Sequence, residues 1–516
     1  MSSRTWLFVL SCIALVTSAF TFSIRGNILL EMGNHFHFSQ ADNGSIDGAR
    51  FWGMAASLLL GGFICDWLGM KRIMWLAFLS HVGGTLGMVF APTFEGDVSK
   101  SLLWIQSFSF ILGCGNGFTE TAINPLVATL YPKEKTHYLN VLHAWWPGGL
   151  IIGGFLAMYV GKGIDLDFAS FGIPYHLVVS GQGFNWWQSL LMIIVPAVVY
   201  GLMLLTAKFP ETERVASGVS TGRMFMEAFR PAFILWGICM LLTASTELGP
   251  QSWQSSVMEK TAGLNGTQIL IYTAGMMFIL RHFAGPIAHQ ISPIGLLVVS
   301  SILSGVGLYL LSFANNSLTA FTYATIFGLG VTYFWPTMLG VASERFPKGG
   351  AMILCLLGTI GNAAIALTIP QMGQIVDHYS VQTVEANETN KDLANLILTK
   401  NAHGKAIALN TTVIEELKGI KVGEQDPATP VVPADSPIAK LSKEQVISLL
   451  GVVDEAQRVG FSMAFRWVSL LPTALVLIFG AIWIFDFSRG GYKAEQLMSK
   501  EEENELFEGG SQGPTS

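Results

Sequence analysis

Hydrophobic residues gather into twelve long runs, near 6–30, 45–65, 73–92, 102–131, 139–160, 187–207, 231–248, 268–289, 294–313, 318–343, 350–376 and 461–485. Each run approaches the ~20 residues a helix needs to cross hydrocarbon. Backbone groups inside a bilayer must bond within their own segment, so every run predicts a helix rather than an open strand. The fold class is therefore an all-α integral membrane protein with twelve transmembrane helices. The longest connection outside the insertion described next, 208–230 with Pro210, Glu211 and Glu213 ahead of Pro231, divides them into two bundles of six. The expected organisation is a first bundle over 1–207, a central loop over 208–230, helices 7 to 11 over 231–377, a polar insertion over 378–457, helix 12 over 458–487 and a tail over 488–516.

The insertion carries eleven acidic and seven lysine residues and the Pro-rich stretch Pro427 to Pro437. Ser442 with Gln445 has the form of a capping box opening an amphipathic helix through Ile447, Leu450 and Val453, which can run into the last span. Thr412 with Glu415 can open another. The tail, with Glu501, Glu502, Glu503 and Glu505, reads as a solvated end.

Composition agrees with a membrane class: 51% of residues are hydrophobic and 12% charged, the latter half of the ~25% usual in a globular domain. With the N-terminus inside, inner segments hold fourteen Lys and Arg, among them Lys71, Arg72, Lys133, Lys135 and Arg345. The short outer loops hold four, Arg25, Lys100, Lys162 and Lys260. Cytoplasmic loops collect such residues, so both termini are expected in the cytoplasm of a cell-membrane protein. The net charge of -6 is diffuse and shows no basic stripe, which sets nucleic acid aside. Cys12, Cys65, Cys114, Cys239 and Cys355 stand alone in apolar runs and read as small hydrophobes. The first twenty residues imitate a signal peptide but make a sensible first span. No metal site or cofactor is expected.

A charge in hydrocarbon costs at least ~2.5 kcal/mol, so ionisable groups within spans are functional candidates. They are Glu31, Asp47, Arg50, Glu120, Glu247, Arg281 and Arg466. Glu120 stands out, in Gly115-Asn116-Gly117-Phe-Thr-Glu120-Thr-Ala-Ile-Asn124-Pro125, where Pro125 and the glycines loosen the helix beside a cavity. It can take up and release a proton as its surroundings alternate. Glu247 ends the seventh span next to Pro250, and Arg281 needs a partner, Glu247 or Glu120. Asp47 and Arg50, three residues apart, form a local ion pair, and Arg466 snorkels outward. His143, Trp145 and Trp146 precede Pro147 in the fifth span, and Tyr333, Phe334 and Trp335 precede Pro336 in the tenth. Flat aromatic faces with polar edges suit a hydroxylated solute. Gly115-Asn-Gly117 before Pro125 and Gly328-Leu-Gly330 before Pro336 are a faint echo between halves.

Gly62-Phe-Ile-Cys-Asp66-Trp67-Leu-Gly69-Met-Lys71-Arg72, between the second and third spans, resembles the loop signature of the major facilitator superfamily, with Trp67 where a basic residue is usual. The resemblance implies that Asp66, Gly69, Lys71 and Arg72 govern conformational switching in a major facilitator fold. Glu120-Thr-Ala-Ile-Asn124-Pro125, followed by Leu139-Asn140 and a Gly-rich stretch, resembles the fucose:proton symporter family of sugar transporters. That likeness implies that Glu120 carries the proton, that Asn124 lies near the sugar, that Glu247 matches an acid of the seventh helix and that Arg281 matches a base of the eighth. The family's first-helix aspartate falls at Asn27 and its fifth-helix glutamine at His143. Glu31, one turn beyond Asn27, is the candidate substitute acid.

The expected function is a secondary active transporter that moves a small hydroxylated solute, a sugar, with a proton and by alternating access. Glu120 and Glu31 would couple the proton, and Asn124, His143, Trp145, Asn116, Asn27, Glu247, Tyr333 and Arg281 would bind the solute. It is expected to work as a monomer in the lipid bilayer. An uncoupled or sodium-linked facilitator and a transporter-derived membrane sensor are the alternatives. An enzyme would need a nucleophile with its base or a metal cluster, and the lone His81 and His143 supply neither.

Overall fold

The computed structural model describes residues 3–38, 40–93, 97–161, 163–167, 176–263, 266–387, 393, 395–400, 404–422, 438, 441–495 and 497. Twelve helices cross the molecule. The first half contains α1 (Arg4–Phe36), α2 (Gln40–Leu68), α3 (Met70–Val89), α4 (Val98–Leu130), α5 (Lys135–Val160) and α6 (Trp186–Leu191, resuming as Ile194–Thr206). The second contains α7 (Pro231–Ala262), α8 (Gly266–Arg281, resuming at Ala284), α9 (293–311), α10 (Ser317–Val331 with Phe334–Arg345), α11 (Gly350–Ala386) and α12 (Lys443–Val468 with Leu470–Ser488). Among the described residues nine helical stretches are long and apolar enough to cross a membrane alone. α4 is not one of them, because it carries Asn116, Thr119, Glu120, Thr121 and Asn124; all five are buried against protein.

Proline and its neighbours set the breaks. Ser292 adopts φ 68 and ψ 159, which separates α8 from α9; the residue before a proline, here Pro293, is pushed out of the α region. The two parts of α10 meet at Tyr333, just before Phe334, Trp335 and Pro336.

The halves meet along α2 with α11 and α5 with α8 and α10. The first and last described segments meet the same end of the bundle: Phe8 packs edge-on against Tyr131 and Tyr138, and the Tyr492 hydroxyl donates to Glu344. Close approach there depends on a missing side chain, since a Cβ on Gly340 would lie 2.6 Å from Thr136 Cα.

Three helices outrun their apolar stretches at the other end. α7 continues to Ala262, α11 to Ala386, and α12 starts at Lys443. Ser442 caps that start, accepting from Gln445 N at 3.3 Å while its own N–H donates to Gln445 Oε1 at 2.9 Å. A second helix, Thr411–Val422, opens one residue earlier than Thr412, with Asn410 Oδ1 accepting from Val413 N. The insertion has its own apolar core, including Val384, Ile397, Ile414, Leu417, Leu449 and Val453, and an antiparallel hairpin, Leu398–Lys400 with Ala406–Leu409. Among the described residues of the insertion, these elements pack on one another around that core. The Pro-rich stretch and the acidic tail lie outside the described residues.

Candidate functional site

A proline in a helix leaves the carbonyl four residues earlier without its N–H partner. Pro147 frees the carbonyl of His143, and Pro336 frees that of Thr332. Both are taken by one guanidinium. Arg281 donates from Nη1 to His143 O at 2.8 Å and from Nε to Thr332 O at 2.7 Å, and its Nη2 reaches Glu247 Oε1 at 3.1 Å. The Arg281–Glu247 ion pair is buried, each side chain 3% exposed. The bond to His143 crosses from one half to the other, so the paired Trp-Pro steps of α5 and α10 converge on α8.

The network continues into α4. His143 Nε2 lies 3.0 Å from Asn124 Oδ1. The amide oxygen is acceptor-only, so with this placement of the amide Nε2 carries the hydrogen. Asn124 in turn lies one helical turn beyond Glu120 on the same buried face of α4 and is its polar side-chain neighbour. Glu120 is 4% exposed, and its Oε2 has no hydrogen-bond partner. Among the described residues it makes no ion pair. Cys355 of α11 lies beside Thr121 and Glu120, at the point where α11 closes on Gly62 of α2, which puts the acid at the seam between the halves rather than against lipid. Glu247 Oε2 is likewise buried and unpartnered.

The remaining candidates divide. Trp145 packs edge-on against Phe278 of α8, with centroids 5.6 Å apart, and so spans the seam. Tyr333 donates to Leu280 O beside Arg281. Asn116 belongs to a network inside the first half, with its Oδ1 at 3.0 Å from His81 Nε2 and its amide donating to Thr21. Glu31 is not brought to Glu120: it is exposed and its Oε1 accepts from Trp186 N, where it caps the start of α6. The side chain of Asn27 lies outside the described residues. Asp47 and Arg50 pair at 2.9 Å, with the guanidinium 3.6 Å above Phe22. Arg466, rather than snorkelling free, donates to Ser312 at 3.1 Å over the ring of Phe313.

At the terminal end, Asp66 is gripped by the connection between halves: Arg214 Nε donates to Oδ2 at 2.5 Å and Thr212 Oγ1 to Oδ1 at 2.6 Å. Gly350, the first residue of α11, lies directly beside both side chains. Gly69 takes φ 86 at the start of α3, a left-handed geometry that suits glycine. Arg72 is exposed and bonds only weakly to Leu68 O, at 3.4 Å; no bond from Lys71 joins this cluster among the described residues. Three further contacts fasten the same end. Buried Lys135 reaches Glu213 at 2.5 Å and Ser343 O at 3.2 Å, Glu344 Oε1 accepts from Thr136 N and Oγ1, and Asn140 donates to Thr337 at 3.1 Å. Lys135, Glu213, Arg214 and Glu344 are absent from the sequence-based candidates. The signal was available only as charged residues flanking the fourth, sixth and tenth spans, which also serve to orient the protein.

Replacing Arg214 by Ala should loosen this end. Cys65 and Cys355 lie near Asp66 and serve as built-in reporters. Their labelling by a water-soluble maleimide should accelerate several-fold, with Cys239 unchanged; equal rates in the variant and the parent protein would refute a latch at Asp66.

The family profile described as Major Facilitator Superfamily matches residues 10–370. The chain belongs to that superfamily. It is 24% identical over 399 residues to the cis,cis-muconate transport protein of Acinetobacter baylyi, covering 71% of this chain and 87% of that protein. It is 21% identical over 393 residues to the gentisate transporter of Corynebacterium glutamicum, covering 72% and 79%. Among solved structures, FucP in the outward conformation superposes with a TM-score of 0.56 at 16% identity, over 71% of this chain and 91% of that one. The proton:xylose symporter XylE bound to 6-bromo-6-deoxy-D-glucose superposes with a TM-score of 0.63 at 12% identity, over 98% and 99%. The protein is a multi-pass membrane transporter of the twelve-helix superfamily fold, not an enzyme.

Proposed function

We propose that the protein is a proton-coupled carrier of a small hydroxylated solute, a sugar in the first instance, working by alternating access with both termini in the cytoplasm. The fastened terminal end then makes the described conformation one that is closed toward the cytoplasm. One observation carries the proposal: a carboxyl group without a counter-ion among the described residues lies buried where the two halves meet. A lone carboxylate is costly in a dry seam and cheap in a wet one, so rocking of the halves loads and unloads its proton.

The chemistry left over at the site favours a hydrogen-bond donor as cargo. Arg281 is engaged at three nitrogens, while the unpartnered buried oxygens of Glu120 and Glu247 both need donors. Hydroxyl groups supply them. A second reading, an organic-acid carrier, is favoured by the muconate and gentisate transporters among the relatives, since both named solutes are carboxylates. An anion would have to displace Glu247 from Arg281.

Thermal-shift titration of the purified protein with L-fucose, D-xylose, D-glucose, gentisate and cis,cis-muconate at two pH values separates the readings. A sugar should stabilise the parent protein, by more when the pH favours a protonated acid. Replacing Glu247 by Gln should weaken the sugar response and create or strengthen one to the carboxylates, because Arg281 is released. A carboxylate response in the parent protein with none from any sugar would decide for the second reading.

A further inference from the structure

The connection between the halves carries an apolar surface that transport does not use. Its helix, Thr221–Ala228, packs on the Pro347–Gly349 turn that leads into α11 and buries Met224 and Glu227. Phe225, Met226 and the following Phe229 face outward, 41%, 71% and 76% exposed. This face does not stand alone. Phe225 stacks on Phe63 of α2, with centroids 5.8 Å apart and planes 20° from parallel. Phe63 shares one side of α2 with Leu59, Leu60 and Trp67, which are all exposed, Trp67 by 82%. In a membrane protein that side of α2 is its lipid-facing wall, and a Trp at its end sits where the hydrocarbon gives way to headgroups.

We propose that Thr221–Ala228 is a membrane-surface foot, with Phe225, Met226 and Phe229 set into the headgroup–acyl boundary of the leaflet at the terminal end, next to Trp67. A short amphipathic helix with aromatic residues on one face and a basic residue beside them lies in that plane. The charges agree: Arg223 is exposed, while the only acid of the helix, Glu227, is turned inward and paired with Arg230 at 2.8 Å. Lipid is the occupant because the patch is continuous with the lipid wall of α2; a soluble partner or a second copy would have to share Phe63 and Trp67 with the bilayer. The foot also explains Trp67, which stands where the superfamily signature usually has a base. The same connection grips Asp66 through Thr212 and Arg214, so the latch is tied at one side to the membrane surface.

Spin labels on single cysteines in full-length protein test this directly. Met226→Cys, Phe229→Cys and, as a reference in the same connection, the exposed Glu211→Cys are compared in nanodiscs of phosphatidylcholine and phosphatidylglycerol, in a Cys114→Ala background. At 226 and 229 the label should be open to oxygen and several-fold less open to a water-soluble nickel chelate than at 211. Equal nickel access at all three positions would overturn the proposal. Strong dipolar broadening between labels at 226 would overturn it in favour of contact between copies of the chain.

Discussion

Replacing Glu120 by Gln should abolish uphill accumulation of solute and leave exchange down a solute gradient intact. The amide keeps the shape and hydrogen-bonding reach of the acid toward Asn124 but has no proton to give up. A carrier that needs that proton to cross the seam empty or loaded would lose its coupling, whereas a carrier that uses Glu120 only for packing would not. Accumulation collapses to the external concentration in the first case and is unchanged in the second. Proteoliposomes with an imposed pH gradient read the difference, and counterflow in the same vesicles reports whether the variant still binds and turns over. Loss of both activities would instead indicate a structural role, with Glu120 needed to hold α4 against α11.

The second large effect concerns Arg281. Converting it to Met leaves the Glu247 carboxylate buried without its cation and two proline-freed carbonyls, those of His143 and Thr332, without a donor. Breaking a buried ion pair from one side costs about 3–5 kcal/mol, because the remaining charge is uncompensated. The variant should therefore unfold at a markedly lower temperature in detergent. Combining it with Glu247→Gln should recover a large part of the loss, since neither position of the pair then holds an uncompensated charge. Recovery distinguishes the electrostatic cause from simple loss of packing. An unaltered unfolding temperature in the single variant would mean that Arg281 is not the tie between the halves.

Much of the architecture was legible because hydrocarbon imposes a blunt rule. Apolar runs near spanning length must be helices, and their number and the charge between them follow directly from reading along the chain. Boundaries were less legible where helices outrun their apolar runs: α7, α11 and α12 extend beyond them, and only the Ser442–Gln445 cap announced this for α12. Glu120 stood out because an acid between glycines and a proline in a span is expensive. The partners of Arg281 did not stand out, because two of the three are backbone carbonyls. They were nevertheless encoded, four residues before Pro147 and four before Pro336. The grip of Arg214 on Asp66 joins residues 148 apart in sequence and had no local signature. Glu31 shows the opposite failure: helical spacing put it one turn from Asn27, yet its position at the end of α1 gave it to the start of α6.

Proton movement driven by solute is the most direct test of the coupled mechanism. Vesicles containing the protein and an internal pH-sensitive dye, with no pH gradient or membrane potential imposed, are given an inward gradient of whichever solute stabilises the protein in the thermal-shift titration. Proton symport through Glu120 predicts acidification of the lumen with the parent protein and none with Glu120→Gln. Acidification of equal extent with that variant would contradict it.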